Sequence, residues 1–422
     1  MPPRTAGSAI ADTFVCAFRG RRDDYQVPLA LAEGGLLERL VTDAYATRRV
    51  ARLTALLPGR VANAVVFRSR PDLPAQRIRQ LPRVALSELL VRRDPARAEA
   101  LRDRNDVAIS RAAAAEARRR RCHLLLYSAN APAAFHASYD HDPARIVFFY
   151  HPHHEAERTL LAYDERDFLP SKSAAIEDAR TVAREARRRS DEAWRHADHV
   201  VCASSFTART FVAAGADPGR ISVVRYGIAT PLQREARAPR GAFVVLFVGS
   251  ALQRKGVHHL LLAWRKARLP RGARLVIVAR TRDGFVERHL DANPSVELVP
   301  GVSAAELARR YAAASLFCMP SIVEGFGQVY LEALAAGVPV LGTRNTALPD
   351  LGGEEDGIFL SEVGDVDGLA RQLERLAGLT DANDDLRAAA VRTAARHPWD
   401  TFRTGIRDVC HAVLQARAAG AS

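Results

Sequence analysis

Short apolar runs alternate with helical stretches twice along this 422-residue chain. Apolar runs without alternation suit strands that are buried on both faces of a parallel sheet. The strand candidates of the first half are TFVCAF at 13–18, HLLLYSA at 123–129, RIVFFYH at 145–151, HVVCASSF at 199–206 and ISVVRYG at 221–227. Those of the second half are FVVLFVG at 243–249, RLVIVA at 274–279, SLFCMP at 315–320 and VPVLG at 338–342. The repeated strand–helix order predicts two doubly wound, Rossmann-like α/β domains.

The segment ATPLQREARAPRGA at 229–242 separates the two halves, because it combines prolines and charges without an apolar period. We therefore predict a first domain at 1–230 and a second domain at 231–400. Residues 401–422 read as a final helix that packs back on the first domain. Within the first domain, VPLALAEGGLLERLV at 27–41 and the polar stretch at 171–198 predict helices.

Composition excludes several classes of protein. With 48% hydrophobic and 26% charged residues the chain is globular, and it has no apolar run of about 18 residues that would cross a membrane. The first apolar run breaks at Arg19, which indicates a strand rather than a signal peptide. Five scattered cysteines form no CxxC pair, so neither a zinc site nor a disulfide framework is predicted. We expect a cytoplasmic protein.

The net charge of +13 comes almost entirely from arginine and is concentrated between Arg92 and Arg121, where it ends in the run RRRR. Three interpretations stay open: a solvated helix face, a helix that rests on anionic lipid headgroups, and a nucleic-acid interface. No recognisable nucleic-acid module and no aromatic platform accompanies the arginines, so nucleic acid is not expected as a partner.

The segment PSIVEGFGQVYLEALAAGVPVLGT at 320–343 places Glu324 and Glu332 on either side of a Gly-Phe-Gly turn. A loop after a strand leads here into a helix, whose first N–H groups and positive dipole end suit a diphosphate. Gly325 and Gly327 let the backbone approach a ligand closely. The carboxylates could accept hydrogen bonds from sugar hydroxyls, or Glu332 could simply favour the helix dipole while Glu324 faces water.

A second strand, glycine turn and helix occurs at FVGSALQRKGVHHLLLAW, where Lys255 precedes the helix. A lysine in this position supplies a mobile point charge for a phosphate.

Together these stretches resemble glycosyltransferase family 4, the retaining sugar transferases of the two-domain GT-B fold. The resemblance rests on EGFGQVYLE with its flanking PS and GVPVLGT, on FVGSALQRKG, on the segment from Val200 to Ile228, and on TALPDL at 346–351. It implies a GT-B architecture in which the two domains face each other across a cleft. The first domain would bind the acceptor, and the second would bind a nucleotide-sugar.

The resemblance also implies roles for individual residues. Glu324 and His151 would be catalytic, with Glu324 on hydroxyls of the donor sugar. Glu332 would contact the ribose, and Lys255 would neutralise the diphosphate with help from the amides of residues 326–330. The donor site as a whole would consist of Gly249, Ser250, Arg254, Lys255, Gly325, Phe326, Gly327, Gln328, Val329, Tyr330 and Glu332.

Two positions depart from the family pattern. Ser250 stands where the family commonly has an arginine, and Arg254 is the candidate to replace that charge. Asp350 stands where many members carry a glutamate.

Other polar groups support several interpretations. His151, His153 and His154 follow a strand and could be active-site, metal-binding or plain loop histidines; we choose His151 because it directly follows the strand. The turn Arg19-Gly20-Arg21 could approach donor phosphates or the acceptor, or could be a surface turn. The Asp-x-Asp spacings at 365–367 and 140–142 suit a helix N-cap and a loop, so we predict no metal site.

We therefore predict a metal-independent hexosyltransferase that needs no cofactor other than its donor. It would move a hexose from a UDP- or GDP-linked donor to a sugar or lipid-linked acceptor in polysaccharide or glycolipid assembly. It would act in the cytoplasm or at the inner face of an anionic membrane. The alternatives are a GT-B nucleotide-sugar epimerase or hydrolase, and a basic nucleotide- or nucleic-acid-binding protein without catalytic activity.

Overall fold

The computed structural model describes residues 10–47, 68–90, 95–168, 188–229, 242–282, 293–380 and 384–421. The linker predicted at 229–242 and most of the helix predicted at 171–198 lie outside these residues, so both stay predictions. In the described end of the latter stretch, residues 188–191 are helical and are followed by a 3-10 helix at Glu192–His196.

Strands and helices alternate through both halves of the chain. The elements of the first half are β1 Phe14–Ala17, α1 Gln26–Glu33, β2 Leu37–Thr42, β3 Ile78–Gln80, α2 Pro82–Leu90, α3 Pro95–Arg120, β4 His123–Tyr127, α4 Pro132–Phe135, β5 Arg145–Phe149, α5 His154–Phe168, β6 His199–Cys202, α6 Ser205–Ala213 and β7 Ile221–Val223. Those of the second half are β8 Val244–Val248, α7 Val257–Lys266, β9 Arg274–Val278, β10 Val296–Val299, α8 Ala304–Ala313, β11 Leu316–Cys318, α9 Gln328–Ala335, β12 Val340–Thr343, α10 Leu348–Leu351, β13 Ile358–Ser361, α11 Val366–Thr380, α12 Asp384–Ala395 and α13 Trp399–Ala421.

Each half forms its own parallel sheet. The first sheet has the strand order β3-β2-β1-β4-β5-β6-β7, and the second has the order β10-β9-β8-β11-β12-β13. In both sheets the chain runs outward from the first strand and then returns to that strand's other side. Such a reversal opens a crevice at the carboxyl ends of the central strands, where α/β proteins bind ligands. The predicted site residues follow β5, β8 and β11, so the topology brings them to these ends.

The helix predicted at 27–41 is wrong in its second half. Helix α1 ends at Glu33, and residues 37–42 form β2 beside β1. The helix closes with Gly35 at φ +70°, while the Leu36 amide donates to the Leu31 carbonyl at 2.7 Å. This pair of features is a Schellman cap, which stops a helix at the glycine. Its continuation, LLERLV, then enters the buried sheet.

The two domains and the last helix share one hydrophobic core. Within this core, Tyr226 of the first domain contacts both other parts. Its ring centroid lies 5.3 Å from that of Phe326 in the second domain and 5.5 Å from that of Phe402 in α13. Helix α13 continues across to α1, where Arg403 and Arg407 both pair with Glu33. The C-terminal helix therefore crosses back to the first domain, as predicted.

The four arginines at 118–121 form hydrogen bonds or ion pairs with other residues of the first domain. Its guanidinium groups bond, in order, to the Ser138 carbonyl, Glu116, Glu38 and Asp140. None of the described helices is long and apolar enough to span a bilayer. The five cysteines are buried and free.

Candidate active site

A cavity of about 360 Å³ lies between the two domains. Four of the predicted site residues line it: Glu324, Arg254 and Gly325 from the second domain and His151 from the first. The remaining lining residues are Arg19, Arg102, Asp103, Asp106, Ala129, Tyr150, Pro152, Glu157, Ser190 and Val323. Most of these side chains can donate or accept hydrogen bonds, which favours a hydroxyl-rich ligand over an apolar one.

Glu324 is held by two cations from the loop between β8 and α7. Arg254 Nη1 donates to Glu324 Oε2 at 2.9 Å, and Lys255 Nζ donates to the same oxygen. Only 13% of the Glu324 side chain and 11% of the Lys255 side chain are exposed. Burial raises the pKa of this carboxyl, but the two cations outweigh burial and hold the pKa below its usual 4.5. Burial also lowers the pKa of the Lys255 ammonium below 10.5, although Glu324 opposes this shift.

Arg254 also fixes the backbone of the facing loop, because its carbonyl accepts the Ile322 amide at 2.9 Å. Its guanidinium reaches both the cavity and the Glu324 carboxylate. Ser250 lies in the turn after β8, where its carbonyl accepts the Leu252 amide, and Gly249 before it has φ +151°. Arg254, the predicted substitute for the arginine missing at position 250, therefore lies at the site.

The two glycines of the Gly-Phe-Gly turn are required for different reasons. A Cβ on Gly325 would lie 1.9 Å from the Tyr150 carbonyl oxygen, so the second domain touches the end of β5 through bare backbone. Gly327 has φ +85°, and a Cβ there would also strike the Tyr330 ring at 2.5 Å. The Gly325 carbonyl accepts hydrogen bonds from Ser204 and Thr207 of the first domain. The loop that presents Glu324 is thus clamped between the domains.

The residues that open α9 divide into core and surface groups. The Phe326 and Tyr330 side chains are buried in the core, and the Tyr330 amide already donates to the Gly327 carbonyl at 3.0 Å. A ligand would therefore not contact either ring, and the Tyr330 amide, one of the predicted donors, already has an acceptor. Gln328 Nε2 donates to the Gly227 carbonyl at 2.7 Å, which ties α9 to the first domain, and Val329 is half-buried.

Glu332 does not line the cavity. Its carboxylate accepts a hydrogen bond from the Tyr311 hydroxyl of α8 at 3.0 Å. Burial raises the pKa of Glu332 above 4.5, and the bond from Tyr311 offsets only part of that shift. The two glutamates of the motif consequently have different electrostatic surroundings. Two cations lower the pKa of Glu324, whereas Glu332 contacts only a phenol and its pKa is raised by burial.

Of the three clustered histidines, only His151 lines the cavity. Its Nε2 lies 3.1 Å from Ser128 Oγ, and its Nδ1 lies 3.6 Å from Oδ1 of the fully buried Asp191. The amides of His153 and His154 bond instead to Thr210 and Asp191, which fixes the chain after β5.

Two further predicted positions have clear contacts. Arg19 lines the cavity and pairs with Asp106 at 3.1 Å, so the turn after β1 does reach the site. Asp350 Oδ2 accepts the Ser205 amide at 2.7 Å. It therefore holds the first amide of α6, whose N-cap is Ser204, from the other domain and does not line the cavity. Sequence reasoning missed Asp106 and Asp191 because no local pattern marks either residue.

These features define the class of protein: two Rossmann-like domains with a polar cavity between them constitute the GT-B fold. Over 96% of this chain and 100% of the other, the structure is similar to sucrose-phosphate synthase from Thermosynechococcus elongatus, with a TM-score of 0.63 and 16% identity. Over 95% of this chain and 99% of the other it is similar to Anabaena HepE in complex with UDP-glucose, with a TM-score of 0.61 and 16% identity.

Residues 242–378, in the second domain, match the family described as Glycosyl transferases group 1. The narrower assignment to family 4 stays a prediction. An MMP alpha-(1->4)-mannosyltransferase of Mycolicibacterium hassiacum is 33% identical over 38% of this chain and 40% of its own length. A D-inositol 3-phosphate glycosyltransferase of Mycobacterium avium is 33% identical over 50% of this chain and 56% of its own length. The chain thus spans about half the length of these curated relatives.

Proposed function

We propose that the protein is a retaining glycosyltransferase that moves a hexose from a nucleoside-diphosphate sugar to an acceptor hydroxyl. The observation that carries the proposal is the convergence of Arg254 and Lys255 on Glu324 at a cavity between the domains. Two cations that could bind an anion lie there beside a carboxylate that could bind sugar hydroxyls. The relatives named as glycosyltransferases and the UDP-glucose complex of HepE support the same reaction class and a nucleotide-sugar donor.

The donor diphosphate would bind at the start of α9. The first N–H groups of a helix have no intrahelical acceptor and carry the positive end of its dipole. An ammonium has three N–H donors, so Lys255 can hold Glu324 and a phosphate oxygen together. Arg254 would supply the second cation in place of the arginine that Ser250 replaces. Glu332 would accept hydrogen bonds from the ribose.

In the proposed transfer, the bond between the anomeric carbon and the diphosphate oxygen breaks. Lys255, Arg254 and the α9 amides meet the charge that develops on the leaving group. The acceptor oxygen attacks on the same face, and its proton passes to the leaving diphosphate, so the anomeric configuration is retained. Glu324 would orient the donor sugar and His151 would contact it. Asp106 also lines the cavity and is paired with Arg19, but attack on the same face needs no carboxylate nucleophile.

The acceptor would enter from the first domain as a sugar or a lipid-linked sugar. Contact with an anionic membrane stays a prediction, and it would depend on basic residues other than those of the run at 118–121, each of which has an intramolecular partner. We propose that Lys255 and Arg254, rather than a metal ion, neutralise the leaving diphosphate in the transfer step.

Thermal-shift measurements with UDP, GDP, ADP and their sugars would identify the donor, because binding to the native state raises its apparent stability. Transfer is then measured with labelled donor in wild type, Lys255→Ala and Glu324→Ala. Lys266→Ala is the matched control, because Lys266 lies at the far end of α7 and pairs with the exposed Asp367. Folded Lys255 and Glu324 variants with full transfer activity would disprove the site. Product formed without an acceptor would indicate a hydrolase or an epimerase instead.

A further inference from the structure

A second cluster of polar side chains lies between the domains, away from the cavity. It consists of Asp164 on α5 and the neighbouring His258 and His259 on α7. Their side chains are 4%, 0% and 3% exposed, respectively. The proposed transfer reaction uses none of them.

The three side chains converge on one point. His258 Nε2 lies 3.0 Å and His259 Nε2 lies 2.7 Å from the same oxygen, Oδ1 of Asp164. One donor atom from each residue falls within 4.8 Å of the other two. The other oxygen of Asp164 accepts a hydrogen bond from Gln253 Nε2 at 2.8 Å. Gln253 therefore holds the carboxylate through Oδ2, while Oδ1 faces the two histidines.

We propose that Asp164, His258 and His259 form a site for a divalent transition metal of the zinc class. Two imidazole nitrogens and one carboxylate oxygen are a donor set that zinc accepts, and three protein ligands leave a fourth position for water or another group. Metal–ligand bonds of about 2.0–2.1 Å in tetrahedral geometry place ligand atoms about 3.3 Å apart. The two separations between Asp164 and the histidines, 2.7 and 3.0 Å, need to lengthen by a few tenths of an ångström to reach that spacing, and all three donor atoms lie within 4.8 Å of one another.

The surroundings have the features of a metal site. Ligating carboxylates are usually hydrogen-bonded by an outer group that fixes their orientation, as Gln253 does for Asp164. The Phe168 ring lies 4.7 Å from the His259 ring and covers it from one side. A buried carboxylate beside two imidazoles also offers a cation an environment from which water is largely excluded.

The metal would act as a tie between the domains. Asp164 belongs to the first domain, whereas His258 lies three positions after Lys255 at the start of the donor domain's first helix. A bound ion would therefore fix α5 against the segment that carries the phosphate-binding lysine. This role is independent of the transfer chemistry and would hold for any function of the cavity.

The test uses full-length protein that has been dialysed against a chelator and then titrated with Zn²⁺ in competition with a chromophoric chelator. We expect one equivalent to bind and the melting temperature to rise. His259→Ala should weaken binding about 100-fold, and Gln253→Ala, which keeps all three ligands, about tenfold. His136→Ala is the control, because His136 forms an exposed histidine pair with His196 elsewhere on the first domain.

Zinc uptake that is equal in wild type, His259→Ala and Gln253→Ala would overturn the proposal. A wild-type melting temperature that does not change with zinc would also overturn the proposal, because a cluster held only by hydrogen bonds would gain no stability from the ion. Should His259→Ala fail to fold, the Gln253→Ala titration decides the outcome alone. None of these measurements depends on transferase activity, so they stay valid if the proposed function is wrong.

Discussion

Replacing Gly325 with alanine should separate the two domains at the active site without unfolding either. The new Cβ would lie 1.9 Å from the Tyr150 carbonyl oxygen and 2.7 Å from His151 Cα, and both are backbone atoms that no rotamer change can move. Ordinary contact begins near 3.4 Å, so the loop must retreat by roughly 1.5 Å. That displacement breaks the bonds from Ser204 and Thr207 to the Gly325 carbonyl.

Two such hydrogen bonds are worth about 1–3 kcal/mol together, and overpacking costs about 1–3 kcal/mol. Since the loop that presents Glu324 must move to relieve the clash, we take about 3 kcal/mol as the loss of transition-state stabilisation. This corresponds to roughly a 100-fold fall in the transfer rate at fixed donor concentration. The far-UV circular dichroism should not change, because the clash lies between the domains and not inside a sheet.

The assay compares initial rates of transfer for wild type, Gly325→Ala and the control Gly378→Ala. Gly378 lies in α11 with open space around it, so alanine there should keep full activity and add up to about 1 kcal/mol of stability. A Gly325→Ala enzyme with a rate within about threefold of wild type would refute the reasoning, because a shift of 3 kcal/mol cannot give so small a change.

Three further perturbations test other contacts. Lys255→Met should lower the free energy of unfolding by about 3 kcal/mol, because it leaves Glu324 buried with one cation fewer. Glu324→Gln in the same chain should recover part of that loss. Urea unfolding of wild type, the two single variants and the double variant tests this, and simple addition of the two effects would contradict the pairing. Because the folded pKa of Glu324 lies below 4.5, its contribution to stability is present above that pH and disappears as the pH falls through the folded value, so Glu324→Gln should flatten the acid limb of a stability–pH curve. Glu332→Gln, which removes a carboxyl with a raised pKa, should not flatten that limb, and an identical curve for both variants would count against the assignment. Asp350→Ala should cost about 1 kcal/mol by leaving the Ser205 amide at the start of α6 without this acceptor, whereas an unchanged unfolding midpoint would mean that the bond contributes nothing.

The sequence by itself determined the architecture and the main motif of the candidate site. Parallel strands buried on both faces leave continuous apolar runs, and the alternation of these runs with helices is readable without coordinates. The cluster of Glu324, Arg254 and Lys255 was also within reach, because glycines, carboxylates and a lysine at the ends of strands follow local rules of loop and helix geometry. The strand at 37–42 could not be predicted, because its leucine-rich run continues the helical period of α1. Only the Schellman cap at Gly35 ends that helix.

Only the tertiary structure decided which distant groups meet. The first domain supplies Tyr150, Ser204 and Thr207 to the Gly325 loop, more than a hundred positions away along the chain for both hydroxyl donors. Asp164 meets His258 across 94 positions. Such pairings arise from how two finished domains dock, and docking depends on the shape and polarity of whole surfaces rather than on any local period of the sequence.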